Sequence, residues 1–128
     1  MKKEVGLWID HRKAVVVTVI GETEEITQIA SNMEKRVRYS GAAQEVPGED
    51  QRDRQYMVHL SKYYDGVILQ VRDAKSVLIM GPGEAKGEFV KQLRNEGFAG
   101  RIAAVETVDK MTDRQIAARV RQHFVEPS

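Results

Sequence analysis

A chain of 128 residues, 41% hydrophobic and 30% charged, is long enough for one domain with a real core, and its composition excludes disorder over the whole length. Its 20 basic and 19 acidic side chains leave a net charge of +1, so a nucleic-acid surface must come from local clustering and not from the total. The absence of cysteine excludes disulfides, thiolate zinc sites and cysteine nucleophiles.

The amino terminus, MKKEVGLWIDHRK, has two lysines but no signal-peptide core, because Asp10, His11 and Arg12 break the apolar run. No apolar stretch approaches the ~20 residues of a membrane span. A cytoplasmic protein without a membrane partner is expected. Val5 to Ile9 is a β-prone run, followed by a polar turn at Asp10 to Lys13. Ala14 to Ile20 is dense in β-branched residues and predicts a second strand. After a turn at Gly21 to Thr23, the stretch Glu24 to Ala30 predicts a third strand with one exposed face. Short turns between three strands predict an antiparallel meander.

From Ser31 to about Arg54 the apolar periodicity disappears. Gly41, Pro47 and Gly48 punctuate a stretch filled with charges of both signs, which predicts an exposed loop without a regular element. Loops of that length in a compact domain are functional or disordered. A long helix follows, with Tyr56, Leu60, Tyr63, Tyr64, Val67, Ile68 and Val71 at intervals of a helical face. Val77 to Met80 is a continuous apolar run of the kind a strand buried on both faces requires. Gly81, Pro82 and Gly83 stop it, and Glu84 opens an amphipathic helix carrying Phe89, Val90 and Leu93. Arg101 to Thr107 predicts a fifth strand. Thr112 and Gln115 have the spacing of a capping box before a last helix marked by Ile116, Val120 and Phe124. The order β-β-β-α-β-α-β-α predicts an α/β fold with a mixed sheet and helices packed on it, the order of ribonuclease H-like domains. One such domain accounts for residues 1–128.

Four features carry candidate chemistry. The turn holding Gly81, Gly83 and Lys86 is either a structural turn or an anion site at a helix start. It matches neither the P-loop nor the dinucleotide spacing, and Glu84 and Glu88 oppose an anion there. Asp10 stands where a ribonuclease H-like nuclease holds metal, but the fourth strand supplies no second acid at its end, so a turn residue is the simpler reading. His11, His59 and His123 are spaced for no metal site, and no motif calls for a cofactor. The loop is the richest feature. Lys35, Arg36 and Arg38 precede Tyr39, with Arg52 and Arg54 beyond, a composition that suits either an RNA backbone or a solvated mixed-charge segment.

The stretch GPGEAKGEFVKQL after a buried strand resembles the middle domain of archaeo-eukaryotic class 1 release factors and of Pelota. The hairpin VGLWIDHRKAVVVTV and the ending VETVDKMTDRQIAARVRQHF fit the same pattern. Nearly the whole chain is similar to small bacterial relatives of that domain, of the translational machinery protein type. The resemblance implies a ribonuclease H-like fold without nuclease activity, and a ribosome or tRNA as partner. In the release factors a Gly-Gly-Gln tripeptide in the loop before the first helix assists hydrolysis of peptidyl-tRNA. The resemblance puts Ala42, Ala43 and Gln44 in its place, after Gly41. Both tripeptide glycines are alanine here, and a Cβ restricts positive-φ backbone. Pelota itself lacks the tripeptide and does not hydrolyse the ester. The competing expectation is a non-enzymatic module that uses the same loop for a protein partner or for homo-oligomerisation.

Overall fold

A computed structural model describes residues 2–32 and 49–124, with the side chains of 49–53 outside it. Five strands form one sheet: β1 (Lys3–Ile9), β2 (Lys13–Ile20), β3 (Thr23–Ala30), β4 (Ser76–Gly81) and β5 (Arg101–Thr107), in the order β3-β2-β1-β4-β5. The first three pair antiparallel, with Leu7 opposite Val16 and Val17 opposite Ile26. β4 runs parallel to β1 (Leu7 opposite Ile79), and β5 runs parallel to β4. This is the mixed sheet expected from the element order. Short turns permit only antiparallel neighbours, whereas β4 and β5 are each reached through a helix.

Among the described residues three helices cover the two faces: α1 (Glu49–Val71), α2 (Ala85–Asn95) and α3 (Asp113–Phe124). On one face Val5, Leu7, Ile9, Val77 and Ile79 pack against Tyr64 and Val67 of α1 and Phe89 and Leu93 of α2. On the other, Trp8, Val15, Val17, Leu78 and Met80 pack against Ile116, Ala117 and Val120 of α3. Alternation along β1 and β4 divides their side chains between the two layers, so an unbroken apolar run is what a doubly covered strand needs. β3, at the edge, is exposed throughout Thr23 to Ile26, and only Thr27 and Ile29 are half-buried, so the alternation read from its sequence holds only in its second half and leaves Ile26 in solvent.

The capping box forms. Thr112 Oγ1 accepts from the Gln115 amide at 3.1 Å, and Gln115 Oε1 accepts from the Thr112 amide at 2.9 Å. Arg119 donates twice to Glu106 of β5, at 2.8 and 2.7 Å, and Arg121 reaches Glu24 of β3, so α3 spans the sheet. Trp8 is 2% exposed, and its Nε1 donates to the Asp109 carbonyl at 3.1 Å.

One boundary differs from expectation. The loop predicted to run to Arg54 gives way to helix at Glu49. The segment EDQRDR has no apolar residue, so periodicity is silent there, yet its acids at a helix start complement the macrodipole. Arg52 and Arg54 therefore belong to the first turns of α1.

Candidate functional site

The carboxyl-terminal ends of β1 and β4, the β1–β2 turn and the start of the 31–54 segment meet at one end of the central strands. Asp10 builds the turn. Its Oδ1 accepts the backbone N–H groups of Arg12 and Lys13, both at 2.8 Å, while its own N–H donates to the Lys13 carbonyl at 3.0 Å. The Tyr63 hydroxyl donates to the Asp10 carbonyl at 3.0 Å and ties the turn to α1. Among the described residues no three His, Asp or Glu side chains converge as metal ligands.

Ser31 anchors the chain where it leaves the sheet. It is buried, its N–H donates to the Arg12 carbonyl at 2.8 Å, and its Oγ donates to the His11 carbonyl at 2.7 Å. His59 Nε2 lies 2.7 Å from the Ser31 carbonyl and donates to it from α1. Asn32 follows in the left-handed region at φ 58, a conformation asparagine tolerates better than most residues, and redirects the backbone. His11 and His59, 48 positions apart in a chain where they looked scattered, thus stand on either side of Ser31.

A second set of contacts links the turn to α2. Glu88 Oε1 lies 2.9 Å from His11 Nε2 and accepts the Tyr64 hydroxyl at 2.7 Å. The Tyr63 and Tyr64 rings are 5.4 Å apart, and Tyr64 meets Phe89 edge-on. Burial pushes the Tyr63 phenol well above its ordinary value, and the charge of Asp10 adds to it. Burial raises Tyr64 likewise, with the hydrogen bond to the Glu88 carboxylate and its charge contributing further.

These shifts have a defined pH consequence. The folded protein keeps both phenols protonated, while the unfolded chain ionises them from the ordinary value of 10.0 upward. Their contribution to stability is complete below that pH and is lost as pH rises beyond it. In an alkaline titration, phenolate absorbance from Tyr63 and Tyr64 should appear only together with loss of circular dichroism. The Tyr63→Phe, Tyr64→Phe variant should lack that coupled step; ionisation of both phenols in the folded protein would contradict the burial argument.

The glycine turn lies beside this network. Gly81 has φ 154, and a Cβ there would stand 2.2 Å from the Ile9 carbonyl oxygen. Its own carbonyl accepts the Val108 N–H at 3.1 Å. Gly83 turns at φ 60, and the Lys86 ammonium donates to the Gly83 carbonyl. Within the candidate anion turn Lys86 is thus folded back on Gly83, while Gly81 is engaged with Ile9 and Val108.

Of the predicted loop residues, Lys35, Arg36, Arg38, Gly41, Ala42, Ala43 and Gln44 lie outside the described residues. Arg54 is exposed on α1, and Arg52 is on the preceding turn. Sequence reasoning placed Tyr63 and Tyr64 on the buried face of a helix, and missed that their hydroxyls serve the β1–β2 turn and Glu88. An adjacent Tyr pair in the middle of an apolar face is the available signal, since a buried hydroxyl demands a partner.

No family model and no curated protein matches the chain. Solved structures do. Pelota from Thermoplasma acidophilum is 13% identical with a TM-score of 0.61, the match covering 94% of this chain and 32% of that one. The archaeal translation termination factor aRF1 is 15% identical with a TM-score of 0.55, covering 91% of this chain and 37% of that one. Pelota from Archaeoglobus fulgidus is 16% identical with a TM-score of 0.53, covering 96% and 32%. The shared property is the fold, and this chain spans about a third of the length of each. Likeness of fold and the resemblance read from the sequence point the same way.

Proposed function

We propose that this chain acts in translation as a factor of the release-factor and Pelota type, contacting the ribosome or a tRNA through the 31–54 segment. The observation that carries the reading is positional. Lys35, Arg36 and Arg38 lie in the connection from β3 to α1, and Arg52 and Arg54 in the first turns of α1 that follow it, in a fold shared with Pelota and aRF1. The anchoring of Ser31 by His11 and His59 supports it, because a loop that presents charges to RNA needs a rigid root. Lysine and arginine side chains would neutralise phosphates and release counterions. Gln44 lies between the two basic groups in sequence. With Ala42 and Ala43 in place of glycines, binding without ester hydrolysis is the activity proposed. The setting is cytoplasmic, where ribosomes work, and no helix of the described residues is long and apolar enough to cross a membrane.

Co-sedimentation with ribosomes tests the reading. Arg36→Glu combined with Arg38→Glu should weaken binding by about tenfold or more and flatten its salt dependence by roughly one unit of log–log slope for each phosphate left without its cation. Absence of binding by the unaltered protein at low salt would refute the reading. Neither the unaltered protein nor Gln44→Ala should release peptide from peptidyl-tRNA on ribosomes. Release that Gln44→Ala abolishes would replace binding alone with hydrolysis.

A further inference from the structure

At the far end of α1, which is about 34 Å long at the usual rise, a groove opens between the carboxyl-terminal turns of α1 and α2 and the α2–β5 connection. Its volume is about 600 Å3, within the range of binding clefts. Ile68, Leu69, Leu93 and Phe98 give it an apolar floor, and Leu69 is 60% exposed on the most solvent-facing part of that floor.

The two ends of the groove carry opposite charge. At one end stand Asp65 and Glu96, bridged by the Gln92 side-chain amide, which donates to them at 2.8 and 3.3 Å. Crowding of these carboxylates raises Glu96 above its ordinary value, chiefly through its contact with Asp65. At the other end Arg72 leads into a contiguous cleft of about 440 Å3 with Lys75 and Arg101 on its wall. The one acid there, Asp73, is taken by Lys3 at 2.6 Å. Among the described residues no ion pair forms to Arg72, Lys75 or Arg101.

We infer that this groove docks a segment of a partner protein that carries an apolar side chain between a basic residue and an acidic one. The apolar side chain lies over Leu69 and Phe98, the basic residue meets Asp65 and Glu96, and the acidic residue meets Arg72, Lys75 and Arg101. Charge complementarity selects this occupant. A nucleic acid would bring phosphates against Asp65 and Glu96, and a uniformly basic peptide would meet three cations. The inference does not depend on the 31–54 segment, because the groove is at the opposite end of α1.

The test is selection of short random peptides displayed on phage against the full chain, followed by fluorescence anisotropy with the synthesised winners. The expected winners share the basic–apolar–acidic pattern. Leu69→Asp should weaken them about tenfold or more, as for a central apolar anchor. The paired variant Glu96→Lys, Arg101→Glu should prefer the same peptide with its two charges exchanged. All three positions have exposed or half-exposed side chains, and unchanged circular dichroism confirms the fold. Failure to select a peptide, winners without the pattern, or binding indifferent to both variants would overturn the inference. So would a tRNA that competes for the groove and no longer binds on reversing Arg72, Lys75 and Arg101.

Discussion

Gly81→Ala is expected to lower the melting temperature by roughly 10 °C or more, from a loss on the order of 3 kcal/mol. Two separate costs meet at this residue. Its φ of 154 is a backbone conformation that side-chain-bearing residues rarely adopt. A Cβ would also stand 2.2 Å from the Ile9 carbonyl oxygen and 3.2 Å from its carbon. Those atoms belong to the end of β1, which is held by pairing to both β2 and β4, so no rotamer change relieves the clash. The damage should extend to the candidate site, because Ile9 immediately precedes the turn that Asp10, Tyr63 and Ser31 hold together. Denaturant unfolding checks the size of the effect, and amide exchange across residues 9–13 checks its location. A melting temperature within about 2 °C of the unaltered protein would show that the strand ends can separate without loss.

Gly6→Ala should destabilise by about 2 kcal/mol, and Val120→Ala by a similar amount, yet the double variant should fall well short of their sum. Gly6 lies on the α3 face of β1, where a Cβ would approach Val120 Cγ2 to 2.1 Å and Cγ1 to 2.9 Å. The single glycine change therefore pushes α3 from the sheet, and the single valine change leaves a void where those methyls were. Made together, the alanine at position 6 occupies space the valine vacates, with only Val120 Cβ remaining at 3.0 Å. A favourable coupling of about 1 to 2 kcal/mol is expected from unfolding of the four proteins in a double-mutant cycle. Simple additivity would mean that α3 relaxes independently of β1. The contrast with Gly81 is physical: a clash with a side chain can be removed by a second substitution, whereas a clash with a paired backbone cannot.

The two glycines serve different parts of the molecule. Gly6 sets the distance between the sheet and α3 and acts on stability alone. Gly81 joins the core to the end of the central strands where the 31–54 segment is rooted. Variants at Arg36 and Arg38 should leave unfolding unchanged if the segment acts in binding, so stability and ribosome co-sedimentation separate the scaffold from the proposed interface.

Local chemistry in the sequence determined most of the architecture. The apolar run Val77 to Met80 could be buried on both faces only at the centre of a sheet, and β4 is flanked by β1 and β5. The Thr112 and Gln115 spacing marked the start of α3 because both hydrogen bonds of the box are made within four residues. The short turns around Asp10 and Gly21 dictated the antiparallel meander. Where sequence reasoning fell short, the deciding contacts join residues far apart. The first turns of α1 carry no apolar period, so their helix was invisible to pattern. His11, Tyr64 and Glu88 come from three elements, and only folding makes them neighbours. The groove, with acids from α1 and from the residue that caps α2 at one end and cations near the start of β5 at the other, has no linear signature at all. Periodicity and capping are properties of neighbours along the chain. A site is a property of neighbours in space, and the tertiary structure alone decided which residues those are.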